Sequence, residues 1–258
     1  MLRFYAEDFC YATSIIGQIY MDLQSKQPQQ SSLDAVKVAL GSLDARCRAV
    51  GLAMTSRQIQ RVEDLVQHDH YPYTPTGLAR FGRDLADINA RLVDELKLRH
   101  FLAVDVARTH HYEQEEPLFG AQVASTFPST AYDIAEAGKC YALYRSTACV
   151  FHLMRVLEIG LRIFADRFGI PSDHTNWHNI IEGIEKAVRN MASDPARPTD
   201  WKDQQEFFSQ AASHFMVLKD AWRNYTAHAR VKYTDEEAEM LIMNVRGFMQ
   251  KLATRLHE

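Results

Sequence analysis

Long stretches with helical periodicity constrain the fold of this 258-residue chain more than any other feature. Only 11 glycines and 8 prolines interrupt these stretches, so few positions favour the end of a helix. In the C-terminal stretch, apolar residues recur at helical spacing: Met240, Leu241, Val245, Phe248, Met249 and Leu252. Thr234 and Glu237 form a capping-box pattern just before it, which predicts a helix start. We therefore expect an all-α fold with little β-structure.

The first hundred residues are predicted to form a helical module. Helices are expected over about residues 3–25, 33–52, 55–67 and 78–98. The polar segment 27–32 predicts a loop whose Ser32 caps the second helix, and Thr55 or Ser56 is expected to cap the third. Two prolines in segment 69–76 predict a turn before the fourth helix.

Helical periodicity fails between residues 100 and 126. Residues 101–106 alternate weakly between apolar and polar, a pattern compatible with one short strand or a small hairpin. We accordingly divide the chain into an N-terminal module over 1–100, a connecting segment over 101–127 and a C-terminal bundle over 128–258.

The C-terminal bundle is predicted to contain four or five helices, which is enough to bury a core of its own. The expected helices cover about residues 132–144, 146–168 and 176–191, then a long helix that ends near residue 223, and the capped last helix.

Composition limits the location and chemistry of the protein. No stretch approaches eighteen uninterrupted apolar residues, and Arg3, Glu7 and Asp8 do not suit a signal peptide, so we expect a cytoplasmic protein without a membrane partner. The four cysteines show no C-x-x-C spacing and are expected to be reduced. The net charge of −4 argues against nonspecific coating of nucleic acid, which relies on many Lys and Arg.

Two histidine clusters are weak candidates for a metal site. They are His68-Asp69-His70 and His110-His111, the latter followed by several glutamates. Neither has the i,i+4 spacing that presents two ligands on one helix face. We predict no metal and no other cofactor.

The segment most suggestive of function is Arg223-Asn224-Tyr225-Thr226-Ala227-His228. It places a permanent cation, an amide and a group that titrates near neutral pH within a short segment, a set suited to a phosphodiester. An arginine followed by a histidine after four to six residues occurs four times in the chain. Only here does asparagine follow the arginine directly, at the predicted end of a long helix.

In this position the sequence resembles the HEPN superfamily of all-α bundles, whose diagnostic pattern is R-[polar]-x(3)-H at the end of the third main helix. The resemblance covers about residues 128–258 and includes the stretch 151–158, which looks like the R-x-x-[hydrophobic/E] helix of bacterial members. It implies a metal-independent endoribonuclease of toxin–antitoxin, phage-defence or RNA-processing systems. It also implies a homodimer in which two motifs face one cleft.

The chemistry of the motif residues agrees with that implication. Metal-free RNA cleavage needs a base for the 2′-OH proton, a cation for the developing phosphorane charge and an acid for the 5′ oxygen. His228 suits base or acid, Arg223 a bidentate phosphate contact and Asn224 a hydrogen bond that orients the substrate. A two-fold dimer would supply both histidines. The alternative is that Arg223 and His228 only stabilise a helix C-terminus.

A polar stripe on the predicted helix 146–168 is the second candidate. His152, Arg155, Glu158 and Arg162 are spaced three, three and four residues apart in an otherwise apolar helix. One interpretation is a structural Arg155–Glu158 pair. The other is that Glu158 bonds Arg223 or His228 and orients it, with Arg155 and His152 in supporting positions.

The chain departs from the family at one position. Members that a nucleotidyltransferase antitoxin silences carry a tyrosine two residues after the histidine, where this chain has Arg230. Arg230 and Lys232 are instead expected to add to a phosphate-binding surface. The expected partners are RNA or a nucleotide, a second copy of the chain and an antitoxin or regulatory protein. The alternative function is a non-catalytic scaffold that binds a nucleotide, RNA or a protein.

Overall fold

The computed structural model describes residues 10, 14, 17, 21, 30–68, 75–100, 103–172, 176–193, 195, 197–223 and 232–258. Over these residues the fold is all-α, with ten helices that have both ends described and no strand. The chain divides into two compact units, Met1–Phe101 and Leu102–Glu258.

The first unit contains three described helices: α1 over Gln30–Ala49, α2 over Ala53–His68 and α3 over Pro75–Lys97. Their inward faces form one core in which Leu40, Leu43, Ile59 and Phe81 are fully buried. The start of α2 is capped by Glu95 of α3, whose carboxylate accepts from the Thr55 N–H at 2.7 Å and the Thr55 hydroxyl at 2.6 Å. This long-range cap replaces the local cap that the sequence predicts, since Thr55 lies inside the helix.

Three further expectations for the first unit have different outcomes. The prediction that Ser32 caps a helix is wrong, because α1 begins at Gln30 and continues through residue 32. The turn predicted over 69–76 lies outside the described residues up to position 74, and α3 begins at Pro75, where the fixed φ of proline suits a first helical turn. Of the helix predicted over 3–25, residues 10, 14, 17 and 21 are described, and all four are helical.

Among its described residues, the second unit contains two short and five long helices. They are α4 over Thr109–Glu113, α5 over Ala121–Thr126, α6 over Ala131–Ala142, α7 over Ser146–Arg167, α8 over Trp177–Asn190, α9 over Trp201–Leu218 and α10 over Asp235–Leu252. Helix α7 lies at the centre, with α6, α8 and α10 packed against it. The capping box predicted at Thr234 and Glu237 is confirmed.

The short strand considered for residues 101–106 is absent from the described part of that segment. Residues 103–105 are irregular, and a 3₁₀ turn follows over Val106–Arg108. The Asp105 carboxylate accepts from the Ala107 N–H at 2.9 Å and thereby caps this turn. The hydrogen bond of this local cap therefore favours the turn over the strand that the weak apolar alternation suggests.

The segment that the sequence assigns to a connection supplies core residues to the second unit. Phe119, Val123 and Phe127 are buried in the same cluster as the residues of α7. No helix among the described residues is both long enough and apolar enough to cross a bilayer.

Candidate functional site

The motif begins at Arg223, five residues after the end of α9. After Leu218 the backbone widens into a π-helical turn over Lys219–Arg223. Asn224, His228 and Arg230 lie outside the described residues, as does the side chain of Arg223. The site is therefore defined by the elements on either side of the motif.

Tyr233 anchors the chain just after residues 224–231, which lie outside the described residues. Its backbone N–H donates to the Thr147 hydroxyl oxygen at 3.2 Å, which ties it to the first turn of α7. Lys232, the residue before it, is exposed. Thr234 follows with the capping box, in which its N–H donates to Glu237 Oε2 at 2.8 Å. The chain at Tyr233 and Thr234, downstream of the motif, is thus fixed to two helices.

An ion pair between Arg108 and Asp235 strengthens this anchor. Arg108 Nη1 donates to Asp235 Oδ1 at 2.7 Å and to the Tyr141 carbonyl at 3.1 Å, and Arg108 Nη2 contacts Asp235 Oδ2. The guanidinium lies 4.1 Å from the Tyr141 ring centroid and 4.2 Å from that of Tyr144. Its hydrogen bonds lower the pKa of Asp235 below the ordinary aspartate value. The first residue of α10 is therefore held as a carboxylate.

Contacts between helices place the end of α9 relative to α10. Lys251 Nζ donates to Gln210 Oε1 at 2.9 Å, and the rings of His214 and Phe248 stack with centroids 4.3 Å apart. The residue number rises along α9 as it falls along α10, so these two helices are antiparallel. The end of α9 is consequently directed towards the half of α10 that holds its beginning.

Helices α7 and α10 run in the same direction. Thr147 contacts Tyr233 at one end. Towards the other end, a Cβ added at Gly160 would lie only 3.1 Å from Met249 Sδ, so these helices approach closely there. Both described flanks of the motif therefore lie at the end of the bundle that holds the first turns of α7.

The polar stripe of α7 is organised by an aspartate on α6. Asp133 Oδ1 accepts from Arg155 Nε at 2.8 Å and lies 2.8 Å from His152 Nδ1. Burial by itself raises the pKa of Asp133, but the hydrogen bonds from Arg155 and His152 outweigh it and leave the pKa below the ordinary value. Glu158 accepts instead from Arg162 Nη2 at 3.0 Å.

The sequence reasoning missed Asp133. Helical spacing pairs Arg155 with Glu158 on one helix, whereas the structure hydrogen-bonds Arg155 to a carboxylate on a neighbouring helix. A signal was present, because Asp133 shares the helix face of Ala137 and Tyr141, which are buried. A buried acid on an otherwise apolar face requires hydrogen-bond partners, and His152 and Arg155 provide them.

The histidine clusters give no metal-binding arrangement among the described residues. No group of three or more His, Cys, Asp or Glu side chains there could hold an ion. His110 and His111 pack with ring centroids 3.9 Å apart, and burial together with the charges of His110 and Arg108 lowers the pKa of His111 to about 4. The cluster at 68–70 extends into residues outside the description.

Comparisons with protein-family models, with curated proteins and with solved structures give no match to this chain.

Proposed function

We propose that this protein is a metal-independent endoribonuclease of the HEPN type, acting as a cytoplasmic homodimer in toxin–antitoxin or phage-defence systems. The observation that carries the proposal is the sequence pattern of Arg223, Asn224 and His228. Arg223 is the last residue of a π-helical turn that follows a long helix of an all-α bundle. Single π-helical turns inside helical segments occur frequently at functional sites. The anchored start of α10 supports the proposal further, because it fixes the chain just after the motif.

The proposed reaction is an in-line attack of the 2′ oxygen on the adjacent phosphorus. His228 removes the 2′-OH proton, Arg223 donates to the non-bridging oxygens of the phosphorane and Asn224 orients the phosphate. The bond from phosphorus to the 5′ oxygen breaks, and that oxygen takes a proton from the second protomer's histidine. The products are a 2′,3′-cyclic phosphate and a 5′-OH. Arg230 and Lys232 add positive charge along the RNA backbone.

The dimer is part of this proposal, since each motif has one histidine. Met240 and Met243 are exposed on α10, and both lie on the face left open by the buried Leu241, Val245 and Phe248. A pair of exposed methionines suits an interface between two copies. Light scattering at micromolar concentration tests this directly, and a strict monomer would remove the two-histidine mechanism.

A non-catalytic scaffold that binds RNA, a nucleotide, an antitoxin or a regulatory protein is the second candidate. One observation favours it: the side chains of the polar stripe of α7 already have partners, with His152 and Arg155 bonded to Asp133 and Glu158 bonded to Arg162. A stripe engaged in this way stabilises a bundle without taking part in a reaction.

Substrate chemistry separates the two candidates. Purified protein is incubated in EDTA with an RNA oligonucleotide and with the DNA of the same sequence. The endoribonuclease cleaves only the RNA and leaves 2′,3′-cyclic phosphate ends, because DNA has no 2′ oxygen to attack. A scaffold leaves both intact, and cleavage of both would contradict the mechanism.

A further inference from the structure

Two exposed aromatic side chains lie next to His152. Tyr132 of α6 is 66% exposed and Phe151 of α7 is 51% exposed. Their ring centroids lie 6.3 Å and 6.0 Å from that of His152, and both rings meet it edge to face. We call the surface formed by Tyr132, Phe151, His152 and Arg155 the α6–α7 aromatic face. Large rings exposed together in this way mark a binding surface more often than isolated exposed residues do.

Asp133 fixes the two basic groups of this face. Its side chain is only 3% exposed, whereas the Arg155 side chain is 53% exposed and that of His152 is 20% exposed. Arg155 uses Nε for the carboxylate, so its two η nitrogens extend beyond the ion pair towards the surface. The guanidinium is thereby held in place with donors left for a ligand, which lowers the entropic cost of binding an anion.

The carboxylates beside the face have basic partners on their own helices. Glu136 accepts from Lys139 Nζ at 2.7 Å, and Glu158 accepts from Arg162 Nη2 at 3.0 Å. Asp133 is paired with Arg155 and His152. Among the described residues, the carboxylates near a phosphate bound at Arg155 are therefore already paired with basic side chains.

We propose that the α6–α7 aromatic face binds a nucleotide of single-stranded RNA. A base stacks on Tyr132 or Phe151, and the adjacent phosphate accepts from the η nitrogens of Arg155. Exposed rings suit single strands because unpaired bases offer their faces for stacking, whereas a duplex hides them. The identity of the ligand as RNA rests on the proposed function, but the face itself is independent of the motif.

The position of the face agrees with a role in holding RNA for the motif. Phe151 lies one helical turn, about 6 Å along the axis, beyond Thr147. Thr147 is the residue that anchors Tyr233, just downstream of the motif. Phe151 therefore lies one helical turn from the anchor of Tyr233, and Arg155 lies one further turn along α7.

Binding of a fluorescently labelled single-stranded RNA, followed by anisotropy in EDTA, tests the proposal. All proteins carry His228→Ala so that cleavage does not interfere. The double substitution Tyr132→Ala and Phe151→Ala is expected to weaken binding about fivefold or more, as for the loss of base stacking. Arg155→Gln is expected to weaken it as well. The matched controls are Val38→Ala, an exposed apolar residue on α1, and Arg167→Gln, an exposed cation in the last turn of α7.

The possible outcomes are distinct. Weaker binding by the face variants, with folding and the control variants unchanged, supports the proposal even if the wild type cleaves no RNA. Equal affinities for all variants, or no measurable binding by the parent, overturn it even if the wild type cleaves RNA. Sedimentation of the same variants identifies the main rival: a change in self-association at unchanged RNA affinity would make this face an interface between copies.

Discussion

The backbone N–H of Tyr233 donates a hydrogen bond to the hydroxyl oxygen of Thr147 at 3.2 Å. This bond joins the residues that follow the motif to the first turn of the central helix α7. Together with the Arg108–Asp235 ion pair, it holds the start of α10 from two sides. Both contacts fix the chain downstream of the motif, at Tyr233 and Asp235.

Thr147→Val is expected to lower the free energy of unfolding by about 1 kcal/mol. Valine keeps the shape of threonine but cannot accept the hydrogen bond, so the bond from the Tyr233 N–H to residue 147 is lost. Urea denaturation measures the change. Thr254→Val serves as the control, because the Thr254 hydroxyl donates to the Lys251 carbonyl in its own turn near the C-terminus. A loss of RNA cleavage with Thr147→Val but not with Thr254→Val would connect the anchor to the motif.

Asp235→Asn is expected to lower the free energy of unfolding by about 1–3 kcal/mol at pH 7, since it leaves the largely buried Arg108 without its carboxylate. The pKa of Asp235 is lower in the folded state than the value of about 3.9 for an unfolded aspartate. The contribution of the carboxylate is therefore present above about pH 4 and is lost as the pH falls through the lowered folded pKa.

Urea denaturation of the wild type and of Asp235→Asn across pH 7 to pH 2 checks this dependence. The difference between the two proteins should shrink only in the acid range. Glu182→Gln is the control, because Glu182 pairs with His178 in a well-exposed contact and should change stability little. A difference between wild type and Asp235→Asn that is the same at every pH would contradict the assignment.

Gly138 and Gly247 form a matched pair within helices α6 and α10. A Cβ at Gly138 would lie 2.7 Å from the His111 carbonyl oxygen and would clash with Leu118, so Gly138→Ala is expected to destabilise the fold by about 1–3 kcal/mol. A Cβ at Gly247 meets no atom within 4 Å, so Gly247→Ala is expected to stabilise it by about 0.5–1 kcal/mol. Thermal unfolding of both variants tests the close approach of α4 to α6. Two shifts of the same sign would refute it.

The helices could be predicted from the sequence because their signals are local. Apolar spacing and the Thr234–Glu237 capping box locate α10, and both are properties of adjacent turns. The start of α2 could not be predicted in this way, since its cap is Glu95, forty residues further along the chain. The strand considered for residues 101–106 is absent at residues 103–105 for the opposite reason. There a single local hydrogen bond from the Ala107 N–H to the Asp105 carboxylate outweighs a weak strand pattern.

The candidate site shows the same difference between local signals, which can be predicted, and contacts between helices, which cannot. Helical spacing correctly placed His152 and Arg155 on one stripe, but it could not reveal Asp133, which reaches them from another helix. Pairing between helices depends on the packing geometry, and no spacing along one helix encodes it. Whether Glu158 orients Arg223 or His228 stays a prediction, since those side chains lie outside the described residues.

The central claim is that His228 performs acid–base chemistry on RNA. Single-turnover cleavage of an RNA oligonucleotide in EDTA by the wild type, by His228→Ala and by His178→Ala tests it most directly, with His178 as an exposed histidine on α8 outside the motif. We predict that His228→Ala lowers the rate by about a hundredfold or more, while His178→Ala leaves it unchanged. Equal rates for the wild type and His228→Ala, or no cleavage by the wild type, would contradict the account.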